Sequence, residues 1–217
     1  MPNPTGSPPN PPAPGAAFQA GRRRIARILR IPAWIAVVLI VLGARSSLAD
    51  HYEVPSGSML PTVRIGDHVL VSKLAYGIRA PFVGYLDQFR GPGRGDVVVL
   101  ESPENGIVLL KRVIALPGDT VAVRSGRLWL NGQEIAVEAD HGEVRELLGH
   151  AHTISLDEGG GPNFGPATMP ADKYLVLGDN RGDSRDGRFF GLVDRGAIFG
   201  RALRIYWRNG KPAWQSL

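Results

Sequence analysis

The segment Val54-Pro55-Ser56-Gly57-Ser58-Met59-Leu60-Pro61-Thr62 puts two hydroxyls two residues apart. Pro55, Gly57 and Pro61 exclude regular structure there, so Ser56 and Ser58 would stand on a stiff exposed turn. A serine hydroxyl becomes a nucleophile only beside a base; alone, the segment is an ordinary turn. The chain has no cysteine, which removes thiolate nucleophiles, disulfides and cysteine-held zinc or iron–sulfur sites. Five histidines (His51, His68, His141, His150, His152) lie outside any catalytic motif and read as loop or packed side chains. Lysine offers more. There are four, against 21 arginines, and Lys111 alone sits in an apolar run, Ile107 to Leu116. In a strand it would share a face with Ile107, Leu109 and Val113. Desolvation would press its pKa down; a fall from about 10.4 to 7 or 8 needs roughly 3 to 4 kcal/mol. Such a lysine is a general base. The same pattern also fits a strand-end lysine whose head reaches water, and the run itself does not decide between them.

The elements that would carry these groups are strands. His68 to Val71, Asp96 to Leu100, Ile107 to Leu116, Tyr174 to Leu177 and Ile198 to Trp207 are short apolar or β-branched runs. Leu128-Trp129-Leu130 and Gln133-Glu134-Ile135 flank Asn131-Gly132, a hairpin with a type I′ turn. No long amphipathic helix follows residue 50, so the domain is expected to be mainly β. Residues 140–170, rich in Gly, His and acids, read as a long loop.

The formal charge of +5 on 217 residues is local. Arg22, Arg23, Arg24, Arg27 and Arg30 account for all of it, leaving 20 bases against 20 acids beyond residue 30. A nucleic-acid-binding surface is therefore not expected. Seven of 18 prolines fall in the first 14 residues, the composition of a disordered tail. Next comes the uncharged apolar run Ile31 to Ala44. Extended back to Ile25 it makes 20 residues, about 30 Å of helix, if Arg27 and Arg30 snorkel to the headgroups. The expected organisation is a Pro-rich basic cytoplasmic tail (1–24), a transmembrane anchor (25–48) and an extracytoplasmic β domain (50–217), oriented by the arginines. A cleaved signal ending at Ser47-Leu48-Ala49 and a buried core helix are the competing readings of the apolar run.

Four motifs in order resemble the boxes of bacterial type I signal peptidases, membrane-anchored serine proteases with a Ser-Lys dyad. They are Pro55 to Thr62 with Gly66-Asp67, Arg94 to Val99, Lys111 to Asp119, and Gly178-Asp179-Asn180-Arg181 with Ser184, Asp186, Arg188 and Gly191. The resemblance implies Ser58 as nucleophile, Lys111 as neutral general base, and Ser56 with the Ser58 amide as oxyanion donors. It implies that Ser184 hydrogen-bonds Lys111, and that Asp186, Arg188 and Arg112 form a supporting charge network. It also implies an antiparallel β catalytic domain with a small β insert at about 124–172, behind one N-terminal transmembrane helix. Gly182, Asp183 and Gly187 depart from the commonest form of the last box. The implied reaction is removal of signal peptides from exported preproteins after small residues at −1 and −3, the substrate pairing as an added strand. No cofactor or metal is implied. The implied partners are signal peptides and the lipid bilayer, with no nucleic acid, for a monomer in the bacterial inner membrane. Met59 and Leu60 would help the catalytic surface dip into the interface. A catalytically dead scaffold is disfavoured because Ser56, Ser58, Lys111 and Ser184 are all present.

Overall fold

A computed structural model describes residues 49–80, 84–87, 89–140 and 143–217, together with Ile35. The expected tail (1–24) lies outside the described residues, as does the expected anchor (25–48) apart from Ile35. Among the described residues no helix is long and apolar enough to cross a membrane.

From residue 49 onward the chain is mainly antiparallel β. The strands β1 (Ala49–Glu53) and β2 (His68–Ser72) pair with each other, as do β3 (Ile78–Ala80) and β4 (Gly84–Asp87). Next come β5 (Val97–Glu101) and β6 (Val108–Ala115), in a register that sets Lys111 opposite Val98. A meander follows: β7 (Thr120–Arg124), β8 (Arg127–Leu130) and β9 (Gln133–Glu134). The strands β10 (Val137–Asp140), β11 (Glu143–Leu148) and β12 (His150–Ile154) make a separate three-stranded sheet, and β13 (Phe164–Thr168) returns to β7. The chain ends with β14 (Lys173–Leu177), the one-turn helix α1 (Gly187–Phe190), β15 (Val193–Asp194), β16 (Ile198–Arg208) and β17 (Lys211–Ser216). The main sheet runs β1-β2-β16-β5-β6-β14-β15, with β17 on β16.

The apolar run at Val97 to Leu100 shows why this sheet reads as continuous rather than alternating. Val97 and Val99 pack with Val69, Val71 and Ile205, whereas Val98 and Leu100 pack with Val113, Val176 and Ile198. Both faces are covered, so every position is apolar. A third cluster joins Ile114, Leu175 and Leu177 to Val121, Val123 and Leu128 of the meander. The expected hairpin forms, with Asn131 and Gly132 both at positive φ as a type I′ turn requires.

The long loop expected at 140–170 is instead largely strand. Glu146, Leu148, His152 and Ile154 are buried at alternate positions, so the period of two is present. Two of those inward positions are a carboxylate and an imidazole, which hides the pattern from a reading based on hydrophobicity. Gly149, at φ 69°, closes the tight reversal between the two strands.

Candidate active site

The Ser56–Ser58 turn is held from both sides. Val54 N–H donates to Asp67 O, Gly66 N–H to Val54 O, and Leu60 N–H to Gly57 O. Met59 is buried against Val63, Val69 and Val99 and so anchors the turn in the core. That burial corrects the expectation that Met59 reaches a membrane interface: the thioether is already committed to the protein interior. On the other side Asn180 N–H donates to Ser58 O at 3.1 Å, tying the turn to the loop after β14.

Lys111 comes from β6, paired opposite Val98 of β5 and flanked by apolar residues, and is buried to 2% exposure. Its Nζ donates to Ser58 Oγ at 2.5 Å. With the amine neutral, the same pair can run in reverse, the hydroxyl donating to nitrogen. Burial lowers the Lys111 pKa from 10.5 to about 8; the carboxylates of Asp186 and Asp179 push it back up, and Arg188 adds to the lowering. The geometry brings together a hydroxyl and an amine that is part neutral near physiological pH, the requirement for base-assisted attack. Ser56 is exposed beside them. Both serines and Lys111 line a cleft of about 220 Å³ whose walls include Val54, Val69, Val99, Leu109 and Leu110. Along this cleft β6 has β5 on one side, while β14 pairs only from Arg112 onward. Residues 108–111 thus have a strand edge not covered by β14.

The expected charge network resolves into two pairs. Arg188 holds Asp186 through Nε and a terminal nitrogen, each at 2.8 Å, and Asp186 also accepts Gly178 N–H at 3.0 Å. Arg112 is not part of that pair. It grips Asp179 at 2.8 and 2.6 Å, with both side chains buried. Burial alone would raise the Asp179 pKa, but Arg112 and the Thr62 hydroxyl, donating at 2.6 Å, hold it below the usual carboxylate range. Ser184 is buried, yet its Oγ makes no hydrogen bond, so the expected bond to Lys111 is not formed; the lysine nitrogen is turned to Ser58. Ser184 is nevertheless close by. A Cβ added at Gly178 would overlap both Ser184 Oγ and Ser58 O, so only glycine lets these groups approach.

Several supporting residues were not assigned from sequence. Asp179, Arg181 and Thr62 lay within the quoted motifs without roles, and Glu146 and His152 lay in the expected loop. Arg181 and Glu146 form a fully buried pair behind the Gly178 turn, with contacts of 3.0 and 2.6 Å. Among the described residues no cluster of His, Asp and Glu could hold a metal ion.

The family described as "Signal peptidase, peptidase S26" matches residues 27–207 of this chain. The signal peptidase I of Pseudomonas aeruginosa is 36% identical over 206 residues, covering 83% of this chain and 72% of that protein. The signal peptidase I of Leptolyngbya laminosa is 34% identical over 178 residues, covering 78% and 74%. The thylakoidal processing peptidase 1 of Arabidopsis thaliana is 34% identical over 183 residues, covering 82% of this chain and 48% of its own length.

Proposed function

This chain belongs to the signal peptidase family, peptidase S26, and on that premise we propose a serine endopeptidase in which Ser58 attacks the scissile bond and Lys111 is the general base. The observation that carries the dyad is the 2.5 Å approach of a buried lysine nitrogen to a serine hydroxyl beside an open cleft. Neutral Lys111 takes the Ser58 proton as Oγ bonds to the carbonyl carbon. The Ser58 amide and the Ser56 hydroxyl hold the developing oxyanion. Lys111 then gives its proton to the amine of the mature chain, which leaves, and the signal peptide remains as an ester on Ser58. Lys111 next takes a proton from water as the water oxygen bonds to the ester carbonyl, then returns that proton to Ser58 Oγ as the acyl bond breaks, releasing the signal peptide as an acid that ionises to carboxylate and leaving Lys111 neutral.

The substrate is an exported preprotein. Its segment before the cut lies along residues 108–111 of β6 as an added strand, and the apolar cleft accepts small side chains at −1 and −3. The enzyme works as a monomer without cofactor or metal. Residues 25–48 anchor it in the bacterial inner membrane with the tail in the cytoplasm and the catalytic domain outside. Confinement of enzyme and signal peptide to one surface raises their effective concentration. The test is cleavage of a labelled preprotein by the wild type, Ser58→Ala and Lys111→Ala. Cleavage by the wild type alone is expected; wild-type rates from either variant would overturn the dyad.

A further inference from the structure

The geometry points to Glu146, on the three-stranded insert sheet, as a positioning residue for the Ser58–Lys111 dyad, acting through Arg181 on the turn at Gly178. This rests on the dyad proposed above. Glu146 and Arg181 are both fully buried. Arg181 gives Glu146 two of its donors, at 3.0 and 2.6 Å. Its Nε donates to Gly178 O at 3.1 Å, and a terminal nitrogen donates to Gly126 O at 2.6 Å. The guanidinium therefore fixes the carbonyl of Gly178, the residue wedged between Ser58 O and Ser184 Oγ.

The backbone repeats the connection. Where β12 ends, Ser155 N–H donates to Asp179 O at 2.9 Å and Arg181 N–H to Ser155 O at 3.0 Å, while Asn180 N–H reaches Ser58 O at 3.1 Å. The Asp179–Arg181 segment is thus held between the insert on one side and the nucleophile on the other. His152, also on β12, brings Nε2 to 3.3 Å from Glu146 and 4.0 Å from Asp179, and Thr153 O lies 3.1 Å from the Thr62 hydroxyl oxygen.

A buried ion pair is a poor choice for stability alone, since apolar residues of similar volume commonly serve as well. Apolar residues cannot orient a carbonyl. The charge on Glu146 keeps the guanidinium aimed, and the guanidinium in turn sets the Gly178 turn that abuts Ser58 and Ser184. Loosening that turn should open the packing around the Ser58–Lys111 pair to water, relieve the desolvation of Lys111 and move its apparent pKa upward.

The test is preprotein cleavage across a pH series by full-length wild type, Glu146→Gln, and the double variant Glu146→Met/Arg181→Met, which leaves no unpaired charge. Folding is checked by circular dichroism at the assay temperature. The expected result in each folded variant is a kcat lowered roughly tenfold or more, KM within about twofold, and an apparent pKa of the rate displaced to higher pH. A merely structural pair would change the amount of active enzyme and leave the pH profile in place. An unshifted profile with wild-type kcat in either folded variant would overturn the proposal, and so would failure of both variants to fold, because the pair would then be a foundation of the domain. Absence of cleavage by the wild type would instead count against the proposed function.

Discussion

A lysine whose pKa stands at about 8 is neutral for roughly a tenth of its population at pH 7 and for most of it by pH 9. The rate of preprotein cleavage, followed as kcat/KM, should therefore rise with pH through about 8 and then level off. A profile still climbing toward pH 10 would contradict a desolvated base. The same burial affects stability. Between pH 8 and 10.5 the unfolded chain holds a proton on Lys111 that the folded chain has released, so folding stability rises with pH across that window. Below pH 8 the full penalty stands. Lys111→Met should abolish cleavage yet stabilise the fold at pH 7 by about 1 to 3 kcal/mol, an advantage that fades above pH 10.5. Thermal unfolding of both proteins at pH 7 and at the most alkaline tolerated pH checks this. A destabilised Lys111→Met protein at pH 7 would count against it.

Three elements must converge for the proposed dyad to form: the turn after β1, strand β6 and the loop after β14. The Asp179 carboxylate joins all three through Thr62, Arg112 and its own backbone. Asp179→Ala strands the Arg112 guanidinium in the interior and should cost about 3 to 5 kcal/mol in denaturant unfolding. Gly178→Ala acts differently. The new methyl group must displace Ser58 O and Ser184 Oγ, so a large loss of kcat is expected with a smaller loss of stability. The edge of β6 gives a third outcome. Val108 is half exposed at the cleft wall, so Val108→Arg should raise KM for a preprotein roughly tenfold and leave the unfolding midpoint unchanged. Equal KM values would remove the added-strand placement of the substrate.

At the scale of the molecule, β1 (Ala49–Glu53) pairs along its whole length with β2, so among the described residues the main sheet is formed by residues 49–217. A protein lacking residues 1–48 should keep its activity on a short soluble peptide. On a precursor held in micelles its rate should fall tenfold or more, because confinement to one surface is lost. Equal loss on both substrates would mean that the segment supports the fold of the catalytic domain and not the capture of substrate.

The sequence alone determined the family and most of the scaffold, and narrowed the candidate chemistry. Absence of cysteine left serine and lysine, the apolar setting of Lys111 marked it among four lysines, and the strands at 68–72, 97–101, 108–115 and 173–177 were visible as β-branched or apolar runs. These are local signals: burial on one or both faces of a strand writes itself into residue types. What the tertiary structure alone decided is which charges meet. Arg112 pairs with Asp179 and not with Asp186, Ser184 leaves Lys111 to Ser58, and Met59 turns inward. Glu146 and His152 fell in a stretch that reads as a loop, because a polar side chain on an inward strand position is indistinguishable, in sequence, from one facing water. Only the fold supplies the partner of Glu146, Arg181, at a separation of 35 residues, and sets His152 beside Glu146 and Asp179.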